Sequence, residues 1–158
     1  MAGHDTLSLY LQTEEDTARL GRALARLLQA GDTVLLHGPI GTGKSHLARA
    51  LIRARLGHAE DVPSPTFTLV QTYEAADTEI WHADLYRLTH SDELIELGLE
   101  AAFDRAICLV EWPDRLGSHA PATSLHVHLS EHGMGRHAQV SAGRSGLLAM
   151  LAADWMPA

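Results

Sequence analysis

The chain of 158 residues contains no asparagine, a single lysine (Lys44) and a single cysteine (Cys108). One cysteine excludes an internal disulfide, and its place in the apolar run Ala106-Ile107-Cys108-Leu109-Val110 reads as core filler. No apolar run is long enough to cross a bilayer, so no membrane association is expected. Met1 to Tyr10 lacks a basic stretch followed by an apolar one, so it does not read as a signal peptide, and a cytoplasmic location is expected. Positive charge is scarce as well: 12 Lys+Arg against 20 Asp+Glu leave a formal net charge of -8. Such a surface on average repels nucleic acid, so DNA binding is not expected and any contact with RNA needs a partner. No internal repeat or domain boundary stands out, and one domain over residues 1–158 is expected, large enough to bury a core unaided.

Hydrophobic spacing predicts the elements that are present. Leu7 to Leu11 alternates like a half-buried strand, and Thr13 followed by Glu14, Glu15 and Asp16 predicts a helix N-cap with first-turn acids. Leu20, Leu24, Leu27 and Leu28 share one face of that helix, with Gly31 as its expected stop. Thr33 to His37 is a short apolar strand, and Leu47, Ala48, Leu51, Ile52 and Leu56 keep helical spacing from Lys44 to Gly57. A proline-stiffened connection, Val62 to Thr66, leads into an expected strand over Phe67 to Tyr73. Thr78 to Ala83 reads as another strand, Ser91 opens a short helical stretch interrupted by Gly98, and Ala106 to Val110 is the clearest buried strand. A hairpin around His132 to Gly135 and a last helix from Gly146 to Trp155 complete the pattern.

Between the second strand and the second helix lies Gly38-Pro39-Ile40-Gly41-Thr42-Gly43-Lys44-Ser45. GxxxxGK[ST] works because glycines let successive backbone N–H groups turn onto phosphate oxygens while the following helix presents its positive end. Lys44 would reach the β- and γ-phosphates, and Ser45 would offer its hydroxyl to Mg²⁺; His46, next in line, is a further candidate contact. A chance match to the loop pattern is expected in under about 1% of chains this long, and the strand before and helix after supply its proper context.

Reading guanine normally takes an Asn/Thr-Lys-x-Asp element, and the only lysine already serves the loop, so ATP is the expected nucleotide. The reaction also needs an acid at a neighbouring strand end, to hold Mg²⁺ or to orient water. Glu111, closing Ile107-Cys108-Leu109-Val110, has the better pattern, and Asp84, closing Ile80-Trp81-His82-Ala83, is the second candidate. Thr66 lies where phosphate-loop proteins place a switch residue, although on physical grounds alone turn chemistry between prolines and a strand is the simpler account. Trp112 reads either as an interfacial or as a packing residue. Of the eleven histidines, His126 and His128 fall on one strand face, with His132 and His137 nearby. No cysteine or acid completes a familiar metal spacing, so a solvated hairpin face is expected there.

GPIGTGKS, Ser64-Pro65-Thr66-Phe67-Thr68-Leu69, His82-Ala83-Asp84-Leu85-Tyr86-Arg87-Leu88, Glu96-Leu97-Gly98-Leu99 and Glu111-Trp112-Pro113, in this order, resemble the bacterial TsaE (YjeE) family from Thr13 to Trp112. The resemblance implies an α/β P-loop NTPase fold with a mixed central sheet flanked by helices. It also implies weak ATPase activity within the machinery that makes N6-threonylcarbamoyladenosine in tRNA, with TsaD-type and TsaB-type proteins as partners and tRNA contacted mainly through them. ATP hydrolysis would reset that complex between turnovers. Lys44, Asp84 and Glu111 would then be catalytic, with Ser45, Glu111 and Asp84 holding Mg²⁺. Thr66 becomes a switch residue, Trp112 a neighbour responsive to nucleotide state, and Thr13 a residue near the adenine. Family members commonly read Gly-Asp-Leu-Gly-Ala-Gly-Lys-Thr in the loop, where this chain has Pro39 and Ser45. The competing readings are a small metabolite kinase, which needs an arginine-bearing lid that Arg115, Arg136 and Arg144 do not obviously make, and a nucleotide-dependent binding switch without useful turnover.

Overall fold

The computed structural model describes residues 6–57, 62–63, 69–90 and 92–155. Thr66, and with it the segment 64–68, lies outside the described residues. Seven strands form one sheet: β1 (Thr6–Leu11), β2 (Thr33–His37), β3 (Val70–Glu74), β4 (Glu79–Asp84), β5 (Ile107–Glu111), β6 (Leu125–His132) and β7 (Gly135–Ala142). Their spatial order is β1-β7-β6-β2-β5-β4-β3. The centre is parallel, β4 and β5 pairing in the same sense as β2 and β6, while β3, β7 and β1 add antiparallel pairs at the margins. This is the mixed sheet of a P-loop NTPase fold, with helices on both faces.

Side-chain alternation divides the core in two. Val34, Leu36, Ile107, Leu109, Leu125 and Val127 point to the face covered by α1 (Glu14–Leu27), α2 (Lys44–Leu56) and α5 (Leu147–Trp155). Leu35, Ala83, Cys108 and Val110 point to the other face, covered by α3 (Glu93–Leu97), α4 (Leu99–Ala102) and a 3₁₀ stretch over Pro113–His119 that kinks at Gly117. β2 and β5 are buried along nearly their whole length, as their unbroken apolar runs require when both faces are covered. Cys108 is core filler, and burial pushes its thiol up to about 12.

The α1 N-terminus follows its sequence. Thr13 Oγ1 accepts from the Asp16 N–H at 3.2 Å, and the Asp16 carboxylate accepts from the Thr13 and Gln12 N–H groups, forming a capping box. Its C-terminus departs from the expected stop at Gly31: the helix ends at Leu27 and Leu28 turns extended. The carbonyls exposed there are satisfied from afar, Arg55 donating to Ala25 and Leu28 and Arg144 to Leu27. Gly31, with φ 94°, serves instead in the turn into β2. The strand expected from Phe67 begins at Val70 within the described residues, and the 3₁₀ stretch after Glu111 and the β1–β7 pairing were not visible in sequence periodicity.

Close packing of α1 on α2 depends on Gly21. A Cβ there would lie 2.8 Å from the Leu47 carbonyl oxygen and 3.0 Å from the Ala50 Cβ and the Leu51 nitrogen. Because the obstacle is largely backbone, Gly21→Ala is expected to lower stability by about 1–2 kcal/mol, overpacking outweighing the helix-propensity gain of about 1 kcal/mol. Chemical denaturation checks this; an alanine variant as stable as the parent would show that the helices separate freely.

Candidate nucleotide site

β2 runs out at His37 and the chain turns immediately. Gly38, at φ 142°, sits so close to β6 that a Cβ would come 2.4 Å from the Leu129 carbonyl oxygen, so this position admits only glycine. Thr42 is buried and its hydroxyl donates to the Pro39 carbonyl at 2.8 Å, closing the loop across its own width. Pro39 lacks an N–H but keeps this acceptor, so the proline is compatible with the loop's internal bond. Ile40 stands 76% exposed at the tip. Gly43, at φ 98°, is the N-cap of α2 and makes no side-chain cap, leaving the helix's first N–H groups facing the open side of the loop.

Lys44 begins α2. Its ammonium folds back to donate to the Gly38 carbonyl and lies 3.9 Å from the Trp112 ring centroid. Burial holds its pKa below the usual lysine value, opposed by the charges of Glu111 and Asp84. Trp112 is half-buried and has a left-handed backbone (φ 57°, ψ 53°), which for a bulky residue costs about 1–3 kcal/mol. That conformation turns the indole over the lysine and against Tyr86, whose ring centroid is 4.9 Å away. Trp112 thus packs on the loop itself, joining the two alternatives open in the sequence.

The acids arrive through strand register. Asp84 on β4 stands opposite Glu111 on β5, and Glu111 opposite Leu36 on β2, so both strand ends reach the level of the loop. Glu111, 3% exposed, accepts from Ser45 Oγ at 3.1 and 3.3 Å. Asp84 accepts from the Tyr86 N–H at 3.1 Å, and burial raises its carboxyl above the usual range. His82 was missed as a site residue in the sequence. It is fully buried, with Nε2 2.7 Å from Glu111 Oε2, while its Nδ1 has no partner among the described residues. The signal was present in the two-residue spacing to Asp84, which puts both on one strand face.

Among the described residues, clefts lie on either side of the loop. One, of about 450 Å³, is lined by Ile40, Lys44, Ser45, Asp84, Glu111 and Trp112 among others. The other, of about 300 Å³, lies between Thr13 and Thr17 of the α1 start, Gly41 to Gly43 and His46, and the β6–β7 hairpin at Met134 to Arg136. Thr13 and His46 therefore do border the loop, His46 Nε2 lying 3.1 Å from the Glu14 carbonyl. Arg136 was also missed as a contact: it donates to the Gly41 carbonyl at 3.1 Å, a neighbourhood created by β6 pairing with β2 on one side and with β7 on the other. Of the expected site residues, only Thr66 lies outside this description.

A glycine loop between a parallel strand and a helix, with acids at the ends of the next two strands on one side of it, defines the P-loop NTPase class. The family profile described as "Threonylcarbamoyl adenosine biosynthesis protein TsaE" matches residues 11–139, and the chain belongs to the TsaE family. A relative of that name from Rickettsia conorii is 42% identical over 104 residues, 66% of this chain and 59% of the relative, so the match spans about three fifths of that protein's length. The Haemophilus influenzae relative is 33% identical over 144 residues, covering 87% of this chain and 90% of its own. The crystal structure of Bacillus subtilis YdiB superposes with a TM-score of 0.80 at 22% identity, covering 98% of this chain and 99% of that one, which shows the shared fold.

The His82–Glu111 bond points to a positioning role for the imidazole. His82→Gln, which keeps a donor of similar reach, is expected to retain most Mg²⁺-dependent nucleotide affinity, whereas His82→Ala should lose about tenfold, the low end of outer-shell effects on metal sites. Mg²⁺ titrations followed by a fluorescent nucleotide check this, and equal affinities in parent and both variants would remove His82 from the site.

Proposed function

We propose that this chain is an ATPase acting with other proteins in the formation of N6-threonylcarbamoyladenosine in tRNA. The observation that carries the reading is the convergence of Lys44, Ser45, Asp84 and Glu111 on one side of the phosphate loop, in a chain of the TsaE family. The hydroxyl and two carboxylates suit a hard, oxygen-seeking cation, so Ser45, Glu111 and Asp84 are the residues that would hold Mg²⁺, directly or through water. When bound, the ion neutralises phosphate charge.

The residues divide the work by where they stand. The N–H groups of residues 41–45 and the α2 N-terminus receive the β- and γ-phosphates, and Lys44 exchanges the Gly38 carbonyl for a phosphate oxygen. Ser45 and Glu111, already hydrogen-bonded, form the cation side. Asp84, facing the same cleft, backs the cation through water and orients the attacking water. The cleft between Thr13, His46 and Arg136 receives the adenosine. Weak turnover alone, stimulated by TsaD-type and TsaB-type partners in the cytoplasm, would reset their complex. With a net charge of -8, tRNA contact falls mainly to those partners, and DNA is not a ligand. A metabolite kinase is less well supported: Arg115 donates to the Leu88 carbonyl and Arg144 to Asp32 and Leu27, and Arg136, which does reach the Gly41 carbonyl, sits on a strand paired on both sides rather than on a lid.

Lys44→Ala is expected to abolish ATP binding, and Asp84→Asn to spare binding while lowering turnover by about 100-fold or more, the range of a general-base contribution. The decisive measurement is ATP turnover with and without the two partners, run beside tRNA modification over one and many cycles. Unchanged ATP affinity in the lysine variant would overturn the site. Multiple-cycle modification that proceeds equally well without this protein would overturn the role.

A further inference from the structure

On the sheet face opposite α1 and α2, three histidines meet at the strand end that leads into the loop. His37 is the last residue of β2, and His126 and His128 alternate on β6, where His37 pairs with His128 and Leu35 with His126. Strand alternation therefore points all three rings the same way. The His37 ring centroid is 4.1 Å from that of His128 and 5.1 Å from that of His126, with planes within 21° of parallel. His37 Nε2 and His126 Nδ1 are 2.9 Å apart, and one nitrogen from each of the three rings can be chosen so that all lie within 4.8 Å of one another. His37 and His126 are partly buried and His128 is exposed. The hairpin face is thus not simply solvated, as the spacing of β6 alone suggested; the third imidazole comes from a strand 89 residues earlier.

We propose that His37, His126 and His128 bind one divalent transition-metal ion of the zinc, cobalt and nickel class, at a site separate from the oxygen-rich cation position beside Ser45. Imidazole nitrogen selects these ions over Mg²⁺, which demands oxygen donors and an octahedral shell. Zn–N bonds of about 2.0–2.1 Å place tetrahedral ligand atoms about 3.3 Å apart, so the cluster must contract by roughly 1.5 Å at its widest separation. The exposed His128 side chain can supply that movement by turning about its own rotamers. Three protein ligands leave a fourth position for water or an incoming group on the solvent side. Asp114, whose charge bears on His37 and which lines a small cleft with His37, Pro39, Lys44 and Trp112, adds negative potential nearby. An ion here ties β2 to β6 one residue before Gly38, so metal occupancy shifts nucleotide affinity by restraining where the loop begins.

The test uses the untagged, nucleotide-free full chain in excess Mg²⁺, which fills oxygen-donor positions, titrated with Co²⁺ and then with Zn²⁺ as competitor. The expected result is one Co²⁺ per chain with tetrahedral visible absorption bands, displaced by Zn²⁺. In His126→Gln/His128→Gln the affinity should fall at least about a hundredfold, the upper end of what losing even an outer-shell partner costs. The control His132→Gln/His137→Gln, on the same hairpin, should bind like the parent. Should the first double variant fail to fold, His128→Gln alone, at an exposed position, replaces it. Co²⁺ binding equally strong in the parent and the His128 variant, or lost equally in the control, would overturn the site.

Discussion

Parallel pairing of β2 with β5 governs the rest of this molecule. It sets Leu36 opposite Glu111 and so brings an acid to the level at which β2 gives way to the glycine loop. β4, paired with β5 in the same sense, adds Asp84 at that level and His82 one step behind it on the same face. Both central strands are buried on two faces, which is why they carry uninterrupted apolar runs and why a one-residue slip is not tolerated. A slip would turn Glu111 into the α3–α4 side of the core and leave Ser45 without its acceptor.

The loop is held from three directions. Leu129 of β6 presses on Gly38, Arg136 of β7 reaches the Gly41 carbonyl, and Trp112 lies against Lys44. The strained backbone at Trp112 is affordable because the indole gains contacts with both the lysine and Tyr86. Function and stability are therefore entangled at this end of the sheet: the side chains that hold the loop's shape also line its clefts. The chain Ser45–Glu111–His82, half-buried at Ser45 and buried at the other two, extends that preorganisation inward, to a depth where the acid's orientation is set by the core rather than by water.

The His37, His126 and His128 cluster marks the opposite face of the same junction. Residues 36 and 37, adjacent in the chain, thus serve different sides of the sheet, Leu36 in the core below α1 and α2 and His37 among the imidazoles. Alternation makes the loop's first residue a shared boundary, and this is the physical route by which one face can influence the other.

Much of this was legible without coordinates, because local chemistry is written locally. The loop's glycines, the lysine and serine that follow, the Thr13–Asp16 cap and the acid after an apolar run are short-range patterns whose meaning depends on backbone geometry alone. Tertiary structure decided what lies between distant segments. Arg55 and Arg144 end α1 at Leu27, β7 brings Arg136 to Gly41, and β2 lends His37 to two histidines of β6. None of these partners shares a sequence neighbourhood. Periodicity reports which face a side chain occupies, and only strand order and register determine whose side chain meets it there.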